Sequence, residues 1–346
     1  MRRWPRIRLV RPAALSMSRA KCSQEEVVDS YFKKLEATLK KYSLEMRPDL
    51  IYNVHESGFN AEHKPVKVVG CRSFRHHPQA ITSPRSALTT LIACGNAAGD
   101  SLPPFLIFKG KRVNSDLRKG ALPGTKFEMS DSGWSNSDIF LTYMKTHFLP
   151  FVDERRKAEE HVLLICDGHK SHITPDVIDF AREKNIVIFI LPAHTSHFLQ
   201  PLDVGLFSPM KSAYNAACSR FMRDHVGLVI TGYNICELVC QAHRMAMTVS
   251  NLKSSFRATG IIPFSPQVTK KDICSCSDLV TSTKNNNNAA SDARNATTAE
   301  YLRETSVKQP EKKLQVSTIW SGCNGDFGVL EGPGCKQATS DIFDTN

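Results

Sequence analysis

Two aspartates follow apolar stretches that are typical of buried strands. Asp167 comes directly after residues 162–166, and Asp203 comes after residues 186–191 and a loop that contains His and Pro. Apolar runs of this length suit strands buried on both faces of a parallel α/β sheet, and reactive groups collect beyond the carboxyl ends of such strands. We therefore expect the two carboxylates to be neighbours. Together they would form a hard, oxygen-rich site of the kind that Mg²⁺ or Mn²⁺ prefers.

Four histidines in the same stretch allow a second kind of site. His169 and His172 are three residues apart, and so are His194 and His197. With the two aspartates they could ligate zinc in a hydrolase. Alternatively, the imidazoles are hydrogen-bond partners that orient the carboxylates.

The sequence around these residues predicts a series of strands and helices. Thr174 followed by Pro175 is a good helix start between the two apolar runs. Apolar residues recur every three or four positions in other segments, which indicates amphipathic helices. These helices are predicted at residues 23–42, 136–154, 207–225 and 233–251, so Asp203 is expected in the loop before the third of them. Further strands are predicted at residues 50–53, 66–70, 87–93 and 104–108, and a turn at 95–100 joins the last two.

The composition favours a polyanionic partner. The chain of 346 residues has a formal net charge of +11 at pH 7 and a pI near 9.1. This charge points to nucleic acid before membrane, although basic proteins without such a partner are common. The eleven cysteines are scattered without the spacing of a zinc knuckle, and they indicate reduced thiols in an intracellular protein. No apolar run approaches the roughly 18 residues of a membrane span.

Four ordered segments together resemble one known family. They read IYNVHESGFN at residues 51–60, LLICDGHKSHIT at 163–174, LPAHTSHFLQPLDVGLFSPMK at 191–211 and SFRATGIIPFSP at 255–266. This series is similar to the DDE endonuclease domain of pogo/Tigger-type transposases, which are relatives of Jerky and of centromere protein B. The resemblance implies a ribonuclease H-like mixed α/β sheet flanked by helices, a DNA partner and a nuclear location. It also implies Mg²⁺ or Mn²⁺ as the cofactor if the protein is active.

The resemblance assigns roles to individual residues. It implies that Asp167 and Asp203 are metal ligands and catalytic residues, and that His169, His172 and His197 orient them, which we prefer to the zinc site. Family members carry an Asp, the first of three metal-binding carboxylates, where this sequence has His55.

The substitution of that Asp by His55 predicts a nuclease with strongly reduced or absent activity. Two-metal phosphoryl chemistry needs hard anionic oxygens, whereas imidazole ligates as a neutral group and prefers zinc-like metals. Glu56 cannot simply take over, because successive side chains of a strand face opposite sides. Two alternatives stay open, namely a backbone shift that turns Glu56 inward and a His-containing site that works with Mn²⁺.

Basic side chains after two of the predicted elements could contact DNA phosphates, although a solvated basic surface is the other interpretation. These residues are Lys109, Lys111, Arg112 and Lys211.

The expected organisation is a basic connector with an amphipathic helix at 1–48, an endonuclease-like domain at 49–267 and a disordered polar tail at 268–346. Three functions remain open: a DNA-binding protein with an impaired site, an active metal-dependent endonuclease or transposase, and a protein-interaction module without a DNA role. A homodimer is possible, and no membrane partner is expected.

Overall fold

A six-stranded mixed sheet carries the acidic residues in the computed structural model, which describes residues 25–62, 64, 88–112 and 114–269. The strand order is β4-β3-β2-β1-β5-β6. The strands are β1 (Ile51–Phe59), β2 (Thr89–Asn96), β3 (Phe105–Lys109), β4 (Lys126–Ser130), β5 (Val162–Cys166) and β6 (Ile186–Ile190).

The directions of the strands bring most of their carboxyl ends to one edge. β2 is antiparallel to both β1 and β3, whereas β4 is parallel to β3, and β5 and β6 follow β1 in parallel. Every strand except β2 therefore ends at the same edge. An antiparallel meander continued by two parallel strands beside β1 is the arrangement of the ribonuclease H-like fold, which confirms the predicted fold class.

Helices cover both faces of this sheet and create two apolar cores. The first core lies under α1 (Glu25–Lys41), α2 (Ser137–Tyr143), α3 (Leu149–Asp153) and α4 (Pro175–Glu183). After the short α5 (Ser196–Leu199), the second core lies under α6 (Pro201–Gly205), α7 (Phe207–Asp224), α8 (Gly232–Ala246) and α9 (Val249–Ala258). β2 and β3 contribute alternate side chains to the two cores, as Leu91 and Ile92 of β2 do, whereas all five side chains of β5 belong to the first core.

The helix predicted at residues 136–154 is present but is not regular throughout. A π turn, Met144–Phe148, separates α2 from α3. Pro150 follows this turn, and because proline has no N–H and its ring crowds the preceding turn, a wider turn accommodates it. Asn136 caps the helix, since its side chain accepts a hydrogen bond from the N–H of Ile139.

Two of the predictions about the last helices are wrong. The helix predicted at residues 233–251 is divided into α8 and α9, because Thr248 starts a new helix by accepting a hydrogen bond from the N–H of Asn251. Asp203 lies within α6 and not in a loop. Pro201 at the first position of α6 explains this short helix, since its fixed φ suits a helix start.

Several sequence-based predictions lie outside the described residues. These are the connector before residue 25, the strand at residues 66–70 and the polar tail from residue 270 onward. Within the described part, the five cysteines are free and buried, as expected for reduced thiols. None of the helices described there is long and apolar enough to cross a membrane.

Candidate active site

The register of the sheet brings His55 level with Asp167. Asn53 of β1 lies opposite Ile165 of β5, so the same parallel register continued by two residues pairs position 55 with position 167. Asp167 is the first residue beyond β5. His55 Nδ1 lies 3.6 Å from Asp167 Oδ2, and His55 Nε2 lies 3.1 Å from Asp203 Oδ2. The structure therefore brings these three predicted site residues together.

The imidazole of His55 stands between the two carboxylates. Its ring stacks on Phe207, the first residue of α7, with the ring centres 5.5 Å apart. The side chain of His55 is 15% exposed. Its ring packs on Phe207 on one face, and each ring nitrogen faces a carboxylate. One imidazole thus contacts both of the acids that were expected to share a metal.

On the other face of the sheet, Asp167 meets a second imidazole. His172 is buried, and its ring packs 4.2 Å from that of Phe140 in α2. His172 Nδ1 lies 2.8 Å from Asp167 Oδ1, and the two groups form an ion pair. His172 Nε2 lies 3.3 Å from Glu56 Oε1. Glu56 is therefore connected to Asp167 through His172.

The contacts between these groups shift their pKa values in opposite directions. Burial opposes protonation of His172, but the carboxylates of Asp167 and Glu56 outweigh it and raise the pKa of His172 to about 9. Burial alone would raise the pKa of Asp167, but His172, then His55 and the N–H of His169 lower it to about 2. The pair formed by His172 and Asp167 is therefore an imidazolium and a carboxylate at neutral pH.

Sequence reasoning missed the contact of Glu56 with the site. His55 pairs with Ala93 and Glu56 with Ile92, and these two residues of β2 belong to different cores, so the two side chains do face opposite sides of the sheet. Because Asp167 lies beyond the end of β5, its two carboxylate oxygens reach toward both faces. The sequence signal that could have indicated this contact is the position of Glu56 in β1, because alternation along the strand puts Glu56 on the face of the sheet that α2 covers.

Two buried side-chain amides fix α6 onto the sheet. Asn53 donates one hydrogen bond to the carbonyl oxygen of Ile165 (2.9 Å) and another to Gln200 Oε1 (3.0 Å), and its Oδ1 accepts one from the N–H of Leu202 (3.0 Å). Gln200 donates in turn to the carbonyl oxygen of Val54 (3.0 Å). Both amides are fully buried. They join the three elements that carry His55, Asp167 and Asp203, and sequence analysis gave them no role.

The other predicted histidines are less closely engaged. His169 accepts a hydrogen bond from its neighbour Ser171, and its own N–H donates to Asp167 Oδ1 at 3.3 Å. His197 is exposed, and its ring lies against Phe198. His194 is also exposed and has a positive φ of 62°. Of the predicted orienting residues, His172 and His169 contact Asp167.

The donor set does not fit a pair of divalent metal ions. Mg²⁺ and Mn²⁺ take oxygen ligands, whereas this site offers two carboxylates separated by an imidazole. Across the described ranges, no group of three or more His, Cys, Asp or Glu side chains has the geometry to hold a metal ion. The zinc site that the histidine spacing allowed is therefore not assembled there either.

The predicted phosphate-binding residues lie near this edge. Lys109 ends β3, and Lys111 and Arg112 follow it, all three with exposed side chains. Lys211 is also exposed and comes one helical turn after Phe207, the residue that stacks on His55. These cations therefore follow two elements, β3 and the start of α7, that lie at the same sheet edge as the acids.

Comparison with known proteins identifies a family over about half of the chain. Residues 85–256 match the family described as DDE superfamily endonuclease. A Cochliobolus lunatus protein named MFS-type transporter clz9 is 32% identical over 220 residues, which are 63% of this chain and 24% of that protein. The human protein named Pogo transposable element with KRAB domain is 25% identical over 130 residues, or 36% of this chain and 20% of that protein. The chain thus spans about a quarter or less of the length of these curated relatives.

Solved structures of the Mos1 transposase are also similar. The pre-cleavage Mos1 transpososome has a TM-score of 0.47 at 14% identity, covering 80% of this chain and 68% of that chain. The catalytic domain of Mos1 mariner transposase has a TM-score of 0.43 at 14% identity, covering 77% of this chain and 98% of that chain. On the family match, residues 85–256 of this chain form a DDE superfamily endonuclease domain, and the pogo relatives support the pogo/Tigger type that the sequence motifs resemble.

Proposed function

We propose that this protein is a nuclear DNA-binding protein whose DDE domain is catalytically impaired by His55. The observation that carries the proposal is the position of the His55 ring, 3.1 Å from Asp203 and 3.6 Å from Asp167. A pair of metal ions in phosphoryl transfer needs several anionic oxygens to hold it. The ring supplies none, and it occupies the space between the two acids that remain.

Neither protonation state of the imidazole can replace the family carboxylate. A protonated ring forms ion pairs with both aspartates and competes with a metal ion for them. A neutral ring offers a nitrogen ligand, which suits zinc-like metals better than Mg²⁺. Glu56 does not fill the gap, because it lies on the opposite face of the sheet in contact with His172.

Charge supports DNA as the partner. The net charge of the chain is +11, and Lys109, Lys111 and Arg112 are exposed at the edge where the acids lie. Within the described ranges, none of these three side chains has a carboxylate within salt-bridge distance, unlike Lys119, which pairs with Asp116. Unpaired cations on one edge are suited to phosphate contacts, which release counterions from DNA.

The proposal can be tested by cleavage of a labelled duplex in Mg²⁺ and in Mn²⁺. The natural protein should not cut, whereas His55→Asp should cut because it restores the third carboxylate. His55→Asn is the matched control, since it also removes the ring but adds no charge, and it should stay inactive. Cutting by His55→Asp should disappear when Asp167→Asn is added.

Two other results would favour the rival functions. If the natural protein cleaves DNA and Asp167→Asn abolishes that cleavage, the protein is an active endonuclease with a His-containing site. If the protein shows no DNA affinity of the kind that weakens as the salt concentration rises, a protein-interaction module is favoured instead.

A further inference from the structure

Trp134 is an exposed aromatic side chain just beyond the end of β4. It lies in the loop between β4 and α2, and 55% of its surface is accessible to solvent. The helix that follows, α2, supplies Phe140, which packs against His172. An indole that contributes little to either core leaves its apolar face available to a ligand.

The loop holds this indole in place through its backbone. Thr90 Oγ1 donates to the carbonyl oxygen of Gly133 (2.7 Å), and Ser130 Oγ donates to that of Trp134 (2.7 Å). Gly133 has a φ of +80°, and a Cβ added there would lie 2.5 Å from the carbonyl oxygen of Leu88. Glycine is required by both the conformation and the close approach. The exposed ring therefore stands on a preorganised loop.

The same loop lies against the start of the basic segment. The N–H of Gly110 donates to the carbonyl oxygen of Ser130 (2.9 Å), and Lys109 Cβ is 3.4 Å from the position of a Cβ on Gly133. β3 and β4 are parallel, so their ends reach the edge of the sheet where β5 delivers Asp167.

Exposed charged side chains of both signs accompany this loop. Lys109 lies beside Gly133, and Lys111 and Arg112 follow it in sequence. The acids nearest to Trp134 in sequence are Asp131 and Asp138, which are also exposed.

We propose that Trp134 is a stacking platform for an unpaired nucleotide base, with Lys109, Lys111 and Arg112 holding the adjoining phosphates. Aromatic rings beside cationic grooves bind single-stranded nucleic acid, because every base offers a flat face for stacking. Bases inside a duplex have no free face, so the ligand is an unpaired end or a base displaced from the helix. The unpaired cations favour nucleic acid over a protein partner. This inference rests on the proposed DNA binding and names the form of DNA that the edge takes.

The test compares the affinity of the full chain for two labelled probes by fluorescence anisotropy. One probe is a blunt duplex, and the other is the same duplex with three unpaired nucleotides at one 3′ end. The natural protein should prefer the second probe. Trp134→Ala should lower the affinity for that probe by at least about fivefold and leave blunt binding unchanged. Trp134→Phe should keep most of the preference, since it retains a ring.

Tyr233→Ala is the matched control, because Tyr233 is also exposed (52%) but lies at the start of α8. The chain reaches α8 only after α7, whose 18 residues span roughly 27 Å from Phe207 to its end. A second control replaces the unpaired nucleotides with abasic ones, which keep the phosphates but offer no base. The natural protein should then lose its preference.

The outcomes separate this inference from the proposed function. If Trp134→Ala keeps the full preference for the unpaired end, the platform is wrong while DNA binding stands. If Trp134→Ala alters the molar mass measured by light scattering but not the preference, the indole is a protein contact and the inference is also overturned. If no version of the protein binds either probe at low salt, the proposed function fails and the platform fails with it.

Discussion

Asp167 is the residue at which the two sides of the candidate site meet. Its Oδ1 faces His172 on one side of the sheet, and its Oδ2 faces His55 on the other. The five side chains form a continuous series in which carboxylates and imidazoles alternate: Glu56, His172, Asp167, His55 and Asp203. Each carboxylate touches at least one imidazole, and the protonated His172 offsets part of the negative charge of this edge.

Removal of His172 should therefore destabilise the protein. His172→Gln leaves Glu56 and Asp167 without their shared cation, and loss of one partner of a buried pair is costly. Since these carboxylates are 19% and 28% exposed, water reduces the penalty, and we expect a loss of about 2 kcal/mol in the free energy of unfolding. Urea unfolding at pH 7 measures it.

The control for this variant is His225→Gln, which changes an exposed histidine at the end of α7. A surface change of this kind should cost less than about 0.5 kcal/mol. Equal losses for the two variants would contradict the role given to His172.

At the scale of elements, the strands that position the acids could be predicted from the sequence. β5 and β6 are buried almost completely, and burial on both faces requires the uninterrupted runs VLLIC and IVIFI. Because Asp167 directly follows β5, predicting the end of this strand also predicted the position of Asp167 at the sheet edge. The pattern also predicted that Asp203 would be near, because both acids follow strands of one parallel sheet.

Elements held by distant contacts could not be predicted. β4, with the sequence KFEMS, is a partly exposed edge strand whose polar residues hide its pattern. α6 has five residues, too few for a helical period, and it depends on Asn53 and Gln200. The contact between Glu56 and His172 joins residues 116 apart in sequence, so no local pattern indicates it.

The buried amides of Asn53 and Gln200 should act as one unit. Gln200→Ala leaves the carbonyl oxygen of Val54 and one N–H of Asn53 without partners, and Asn53→Ala leaves the N–H of Leu202 unpaired. Each variant should lose about 2–3 kcal/mol of unfolding free energy. The double variant should lose clearly less than the sum, because the two residues share one network. Urea unfolding of the four proteins gives the coupling.

An exposed amide provides the comparison for this cycle. Gln241→Ala in α8 removes only a hydrogen bond to the exposed Glu237 and should change stability little. Additive losses at Asn53 and Gln200 would mean that the two amides do not act together in holding α6.

At the scale of the whole molecule, two groups of histidines lie at opposite ends of the sheet. His55 and His172 belong to the carboxyl edge, whereas His147 and His243 meet the chain that enters β3. His147 Nε2 contacts the carbonyl oxygen of Pro103, and His243 contacts the backbone of Leu102. His147 lies in the π turn on one face, and His243 lies in α8 on the other. Burial lowers the pKa of both, so this end of the molecule is built around neutral imidazoles.

Acid should therefore weaken the fold at the end away from the candidate site. Burial lowers the pKa of His243 to about 4, whereas in the unfolded chain it is near the ordinary value of 6.5. Between these pH values His243 is protonated in the unfolded state but neutral in the folded state. The free energy of unfolding therefore falls as the pH drops from about 6.5 to about 4, and His243 adds no further loss below pH 4. The contribution at the lower limit is on the order of 3 kcal/mol.

His243→Gln should flatten this part of the pH profile. Urea unfolding of the natural protein and the variant at steps between pH 7 and pH 4 gives the difference, which should shrink steadily as the pH falls. The His243→Gln variant should still retain a slope from His147, whose pKa burial also lowers. His225→Gln again serves as the exposed control and should follow the natural curve. A difference between His243→Gln and the natural protein that stays constant with pH would mean that His243 does not titrate between the folded and unfolded states, and that its burial matters for packing alone.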